Sequence, residues 1–283
     1  MSRSEVRATL ERHGLRAHKA RGQNFLTDPR IAEQIAADAP VGAEDAVIEI
    51  GPGLGVLTRA LAARARRVVA IEIDAGLVRA LREEGALPSN VELLHADALE
   101  VDLAALAMRL GAPVRVVANL PYAISTPLLR QLLDLRGLLA GWLVLVQREV
   151  AARLVGKPRT RDYGSLAVLH ALTVQIAKVR DLPPQCFFPV PRVVSTLVRA
   201  IPLDPAPLAA DELTSVERVV RAAFGMRRKT LANALRAGLD PAPSMEVLHG
   251  VLDGLGIERR ARAEQQEPAV LLALARALRA AAV

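Results

Sequence analysis

Aromatic residues are scarce in this chain: one Trp, two Tyr and four Phe among 283 residues. Seven rings are too few for a platform that stacks many bases, as in an RNA-recognition motif, and they leave Ala, Leu and Val to build the core. Cysteine is nearly absent. The single Cys186 excludes an internal disulfide and a cysteine-based zinc cluster. The five histidines, His13, His18, His95, His170 and His249, show no metal-ligand spacing and read as structural or surface residues. No apolar run approaches the ~20 residues of a membrane span. The opening MSRSEVRATLERHG is charged and has no apolar signal core, so the expectation is a soluble, cytoplasmic protein. Lysine is also rare, 4 against 33 arginines.

What is present is a globular composition, 52% hydrophobic and 24% charged, of a length that suggests two domains. The net charge of +7 is unevenly placed: residues 1–30 carry +4, 31–144 carry −4, 145–200 carry +6 and 201–283 carry +1. Basic segments flanking an acidic middle are what a nucleic-acid-binding rim around a small-molecule site would look like. An arginine-rich source composition would give part of the same signal.

Apolar runs at 46–50, 67–73, 91–96, 114–120 and 142–147 alternate with helical patterns. Residues 165–182 read as a helix leading into a strand, and 193–201 as a last strand. Repeated strand–helix units predict a doubly wound, mostly parallel sheet with helices on both faces. Three prolines in IPLDPAP (201–207) mark a candidate linker, after which the pattern is helical only. The expected organisation is a first domain over 1–203, with an N-terminal segment 1–30, and a small all-α domain over 204–283.

EIGPGLG (49–55) follows a strand and opens a helix, so Gly51, Gly53 and Gly55 let the backbone turn sharply and approach a ligand. The spacing G-x-G-x-G is neither the usual dinucleotide fingerprint nor a phosphate-binding P-loop. Glu72 ends the next strand, where a carboxylate can accept hydrogen bonds from both hydroxyls of a ribose. Asp97 ends the third, placed for the cofactor's adenine region. Together they point to a nucleoside cofactor, either a dinucleotide or S-adenosylmethionine.

Asn119-Leu120-Pro121-Tyr122 follows the fourth strand and resembles the (N/D/S)-P-P-(Y/F/W) signature of methyltransferases acting on an exocyclic amine. The adenine N6 lone pair is delocalised into the ring. Acceptors at the Asn119 side chain and the Leu120 carbonyl would draw the amino hydrogens, localise that lone pair and aim it at a sulfonium methyl. Pro121 fixes the turn, Tyr122 offers a ring to a flipped-out base, and no metal is required.

With these motifs the chain resembles the KsgA/RsmA family of 16S rRNA adenine N6,N6-dimethyltransferases over nearly its whole length. GQNFL (22–26), EIGPGLG, AIEID, ADAL (96–99), ANLPY (118–122), QREVAARL (147–154), YGSLAV (163–168), FFPVPRVVS (187–195) and RRKTLANAL (227–235) occur in family order. One departure is Val194, where the family pattern is usually polar. The resemblance implies a Rossmann-like class I methyltransferase with a seven-stranded sheet, a cofactor lid in 1–30 and a C-terminal helical domain that binds RNA and the ribosome. It implies cofactor contacts at Asn24, Leu26, Gly51, Gly53, Glu72, Asp97 and Asn119, with S-adenosylmethionine as donor and S-adenosylhomocysteine as product. It implies catalytic contacts to the target adenine at Asn119, Leu120, Pro121 and Tyr122, with Phe187 on the base's other face. Arg227, Arg228 and Lys229 read as phosphate contacts, as does Arg148; a solvated helix start is the alternative for 227–229. The implied reaction is four methyl transfers to two adjacent adenines near the 3′ end of 16S rRNA in the small ribosomal subunit, by a monomer with no membrane partner. A 23S rRNA methyltransferase of the macrolide-resistance type, an assembly factor whose catalysis is dispensable and a DNA adenine methyltransferase are the alternatives, the last disfavoured because NLPY lacks the second proline.

Overall fold

Local chemistry sets the helix starts. The computed structural model describes residues 2–17, 22–85 and 87–281. α1 (Arg3–Arg12) opens on a reciprocal cap between Ser2 and Glu5. Asp28 accepts the Arg30 N–H ahead of α2 (Pro29–Asp38), with Pro29 in the first turn. Asp74 caps α4 (Ala75–Glu83) and Asp102 caps α5 (Leu103–Leu110) in the same way. His18 lies outside the described residues.

Seven strands form one sheet. In chain order they are β2 (Ala46–Ile50), β3 (Arg67–Glu72), β4 (Val91–His95), β5 (Val114–Asn119), β6 (Leu139–Gln147), β7 (Val174–Leu182) and β9 (Ser195–Pro202). Their spatial order is β4-β3-β2-β5-β6-β9-β7. The first five are parallel neighbours and β9 runs antiparallel to β6. Helices α3 (Val56–Ala62), α4, α5 and α6 (Ser125–Asp134) carry the parallel crossovers. Every residue of β2 is buried, as a central strand covered on both faces must be. The sheet is the expected seven-stranded, mostly parallel one. Because the order leads outward from β2 to β3 and β4 on one side, and to β5 and β6 on the other, the strand ends after β2 and β5 flank a topological switch point.

A two-residue ladder was not legible in the hydrophobic pattern. β1 (Phe25–Leu26) pairs antiparallel with β8 (Phe187–Phe188), placing Phe25 opposite Phe188 and Leu26 opposite Phe187. Directly opposed residues share a face. Leu26 and Phe187 enter the core of the sheet with Ile35, Leu57, Val117 and Leu197. Phe25 and Phe188 turn to the other side, against Val6 and Leu10 of α1 and Leu54 and Leu77.

The chain divides into two compact units. One comprises the residues up to Ala151 with Ala177–Pro202; the other comprises Ala152–Ile176 with Leu203 onward. The second unit thus resumes at the expected linker but also takes in 152–176, which the boundary at 203/204 left in the first domain. The reason is a set of bonds within that unit. The Tyr163 ring meets Phe224 edge-on at 5.5 Å, its hydroxyl donates to the Gln266 carbonyl at 2.9 Å, and the Arg159 N–H donates to the Glu264 carbonyl at 2.7 Å. The unit also holds the helices α8 (Ser165–Ala171), α9 (Leu213–Gly225), α10 (Leu231–Gly238), α11 (Met245–Gly254) and α12 (Pro268–Ala281). Helix α10 begins at Leu231, beyond the basic residues 227–229.

Candidate active site

The switch point of the first unit opens into a cavity of about 260 Å³. Its floor is the glycine loop between β2 and α3. Gly51, Gly53 and Gly55 have φ of +71°, +58° and +74°, a region closed to most side chains. At Gly53 a Cβ would also stand 2.9 Å from the Phe25 ring, so β1 presses on the loop through the one residue that admits it.

Glu72 faces the loop from the end of β3. It is 5% exposed. Its Oε2 accepts the Gly53 N–H at 3.1 Å and its Oε1 accepts the Asp74 N–H at 3.0 Å. Burial raises its pKa above the ordinary carboxylate range, and the two N–H donors oppose that shift. The carboxylate is therefore held in one orientation, with lone pairs left for a ligand. Asp97, beyond β4, accepts the Leu99 N–H at 2.9 Å and lines the same cavity.

From the opposite wall, β5 delivers Asn119. Its Nδ2 donates to the Asn24 carbonyl at 2.8 Å, and Asn24 is fixed in turn by donating its Nδ2 to the Gly22 carbonyl at 2.9 Å. Asn119 Oδ1 is thereby left as an acceptor. Leu120 and Pro121 continue the wall, and Ser125 closes the turn by donating to the Pro121 carbonyl at 3.2 Å.

The structure thus brings Asn24, Leu26, Gly51, Gly53, Glu72, Asp97, Asn119, Leu120 and Pro121 to one cavity. Tyr122 stands beside it, half-buried, its hydroxyl 2.9 Å from the Ser195 hydroxyl. Phe187 lies elsewhere than the resemblance implies. It is 0% exposed and belongs to the core of the sheet, because its pairing with Leu26 turns the ring inward. It presents no face to a base in this structure, so the Tyr122–Phe187 sandwich is not formed. Arg148, exposed, opens α7 (Arg148–Leu154) directly after β6. In the second unit Arg227, Arg228 and Lys229 are exposed on the turn ahead of α10 rather than in the helix, and Arg227 donates to the Arg161 carbonyl at 2.8 Å.

Three residues with a place at the site escaped sequence reasoning. Ile73 lines the cavity while 49% exposed, an apolar side chain that gains by covering a flat ring. Its only signal was its position after Glu72. Ser195 was visible only as the last letter of a pattern. Glu49, buried beneath the glycine loop, looked like any residue of a strand.

A glycine loop, a strand-end carboxylate and an NLPY wall meeting at the switch point define a class I methyltransferase. The solved structures agree. A dimethyladenosine transferase from Plasmodium falciparum superposes with a TM-score of 0.74 at 25% identity, over 88% of this chain and 95% of that one. The 23S rRNA methyltransferase ErmE superposes with a TM-score of 0.66 at 28% identity, over 90% and 100%. The family model of ribosomal RNA adenine dimethylases matches residues 14–275, and the chain belongs to that family. The ribosomal RNA small subunit methyltransferase A of Desulfitobacterium hafniense is 45% identical over 252 residues, 89% of this chain and 88% of that protein.

Proposed function

We propose that this enzyme dimethylates N6 of two adjacent adenines near the 3′ end of 16S rRNA, within the assembling small ribosomal subunit, in four methyl transfers. The observation that carries the reading is the orientation of Asn119. With Nδ2 spent on the Asn24 carbonyl, Oδ1 is the atom presented as an acceptor for an amino hydrogen.

S-adenosylmethionine supplies an electrophilic methyl when bound. The cavity suits it: Glu72 offers a buried, oriented acceptor that would hold a ribose, Asp97 and Ile73 line the cavity and would hold an adenine, and the loop at Gly53 leaves no room for a side chain. The protein's own residues do the rest. In the first transfer to each adenine, Asn119 Oδ1 and the Leu120 carbonyl accept hydrogen bonds from the two N6 hydrogens and pull the nitrogen toward tetrahedral geometry; in the second they hold the one that remains, and after each transfer the methylated nitrogen loses a proton to solvent. Tyr122, tethered to Ser195, supports the extruded base on one side. Arg148 and, in the second unit, Arg227, Arg228 and Lys229 neutralise RNA phosphates. The small-subunit substrate is supported by the name and the 45% identity of the Desulfitobacterium relative. The enzyme acts as a monomer in the cytoplasm; no helix among the described residues is long and apolar enough to cross a membrane.

The test is transfer of labelled methyl from S-adenosylmethionine to unmethylated small-subunit and large-subunit particles. Label in dimethyladenosine of 16S rRNA alone is the expected result. Label in 23S rRNA would move the enzyme to the class of ErmE.

A further inference from the structure

Ser195 opens β9 and is 1% exposed. A hydroxyl buried that deeply is costly unless it is hydrogen-bonded. Its bond runs to the Tyr122 hydroxyl at 2.9 Å, across 73 positions of the chain. The start of β9 is itself clamped from two sides. Ser195 stands in register with Gln147 of β6, and the Arg148 N–H donates to the Val194 carbonyl at 3.0 Å. Thr196, on the opposite face of β9, donates its hydroxyl to Asp181 Oδ1 of β7 at 2.6 Å. Ser195 is therefore a fixed post, and the tyrosine ring beside the cavity is tied to it by its tip. The same residue is confined at its root. Gly22, with φ of +65°, passes so close that a Cβ on it would stand 3.0 Å from the Tyr122 nitrogen. A swing of the ring would break the bond to Ser195.

The two methyl transfers to one adenine ask different things of that ring. Each forms a bond from N6 to the methyl carbon and breaks the bond from that carbon to sulfur, which keeps the electron pair. A proton then leaves N6 to solvent. Before the first transfer N6 carries two hydrogens, one for Asn119 Oδ1 and one for the Leu120 carbonyl, and the two bonds together set the height and tilt of the base. Before the second, one hydrogen has become a methyl group, which neither acceptor can bond. The base is then kept in line by the one bond that remains and by the ring of Tyr122.

We propose that Ser195 is a positioning residue that sets how far methylation runs: by tying the Tyr122 ring in place, it supports the second transfer to each adenine more than the first. Ser195 does not line the cavity, so it acts through Tyr122 and not on the cofactor. An untied ring still offers a face to the base. The first transfer, with two hydrogen bonds to the amine, loses less by it than the second, with one.

The proposal rests on the reading of the enzyme as an adenine N6 dimethylase, and one experiment tests both. Full-length wild type, Ser195→Ala, Tyr122→Phe and the double variant are each held in excess over unmethylated small-subunit particles with saturating S-adenosylmethionine. N6-methyladenosine and N6,N6-dimethyladenosine are followed in time by mass spectrometry of the nucleosides. One neutral hydrogen bond is worth roughly twofold to tenfold in a rate, so the second rate relative to the first should fall by that factor in each single variant. N6-methyladenosine should accumulate, while KM for particles and Kd for S-adenosylmethionine stay at their wild-type values. The double variant should match the single ones, because all three lack the same bond. Tyr122→Phe breaks that bond from the half-buried side and keeps the test open if Ser195→Ala lowers stability. Equal slowing of both transfers, an unchanged ratio of the two products, or a double variant with a ratio lower than either single one overturns the role of Ser195. Wild type that forms no dimethyladenosine overturns the reading of the enzyme, and the proposal with it.

Discussion

The Asn119 side chain donates to the Asn24 backbone carbonyl at 2.8 Å, joining residues 95 positions apart at the mouth of the cavity. That bond orients an amide that could otherwise sit either way round. It also couples the segment entering β1 to the wall that would hold the target amine.

Asn119→Ala removes the acceptor for the N6 hydrogens and the anchor of Asn24 together. Loss of one oriented polar group at a reacting centre costs roughly 10²–10³ in kcat. We expect a loss of that order in single-turnover methyl transfer, with binding to small-subunit particles changed less than threefold. Equal losses in both would assign Asn119 to docking.

Glu72 should govern cofactor affinity. Glu72→Gln places an amide N–H against the Gly53 or Asp74 N–H. Leaving such a buried group unsatisfied costs ~1–3 kcal/mol, so Kd for S-adenosylmethionine should rise roughly 5–150-fold. Burial raises the Glu72 pKa, so the wild-type carboxyl takes up a proton at a higher pH than an ordinary glutamate does. Affinity should weaken as pH falls through that range, a limb that Glu72→Gln removes.

Phe187 and Phe188 are neighbours with opposite fates. Phe187→Ala opens a cavity in the core of the sheet and should destabilise the protein by ~3–5 kcal/mol, read by chemical denaturation. Phe188 is half-buried against Val6 and Leu10, with Arg7 5.6 Å above its ring, and its replacement by Ala should cost less. If Phe187→Ala left stability untouched and abolished methyl transfer, the ring would have to leave the core during the reaction and the sandwich would return.

These two rings show where sequence reasoning stops. The glycine loop, Glu72, Asp97 and NLPY were legible because each follows a strand of a parallel sheet, and parallel strand ends converge on one edge. Linear order therefore became spatial proximity without further information. Which of two adjacent phenylalanines points inward depends on the register of a two-residue ladder with Phe25 and Leu26, and a period of two cannot be read from two letters. The placement of 152–176 was hidden for a similar reason. It depends on bonds from Arg159 and Tyr163 to residues about a hundred positions away, which leave no local pattern. Glu49 was concealed by its strand: only the coverage of both faces of β2 turns an ordinary glutamate into a buried acid.

The most direct test is nucleoside mapping of the 3′ end of 16S rRNA from cells with the gene, without it, and complemented with Asn119→Ala. Two adjacent N6,N6-dimethyladenosines in the first and unmodified adenines in the other two are expected. Full dimethylation in the cells lacking the gene, or in those complemented with Asn119→Ala, would contradict the account.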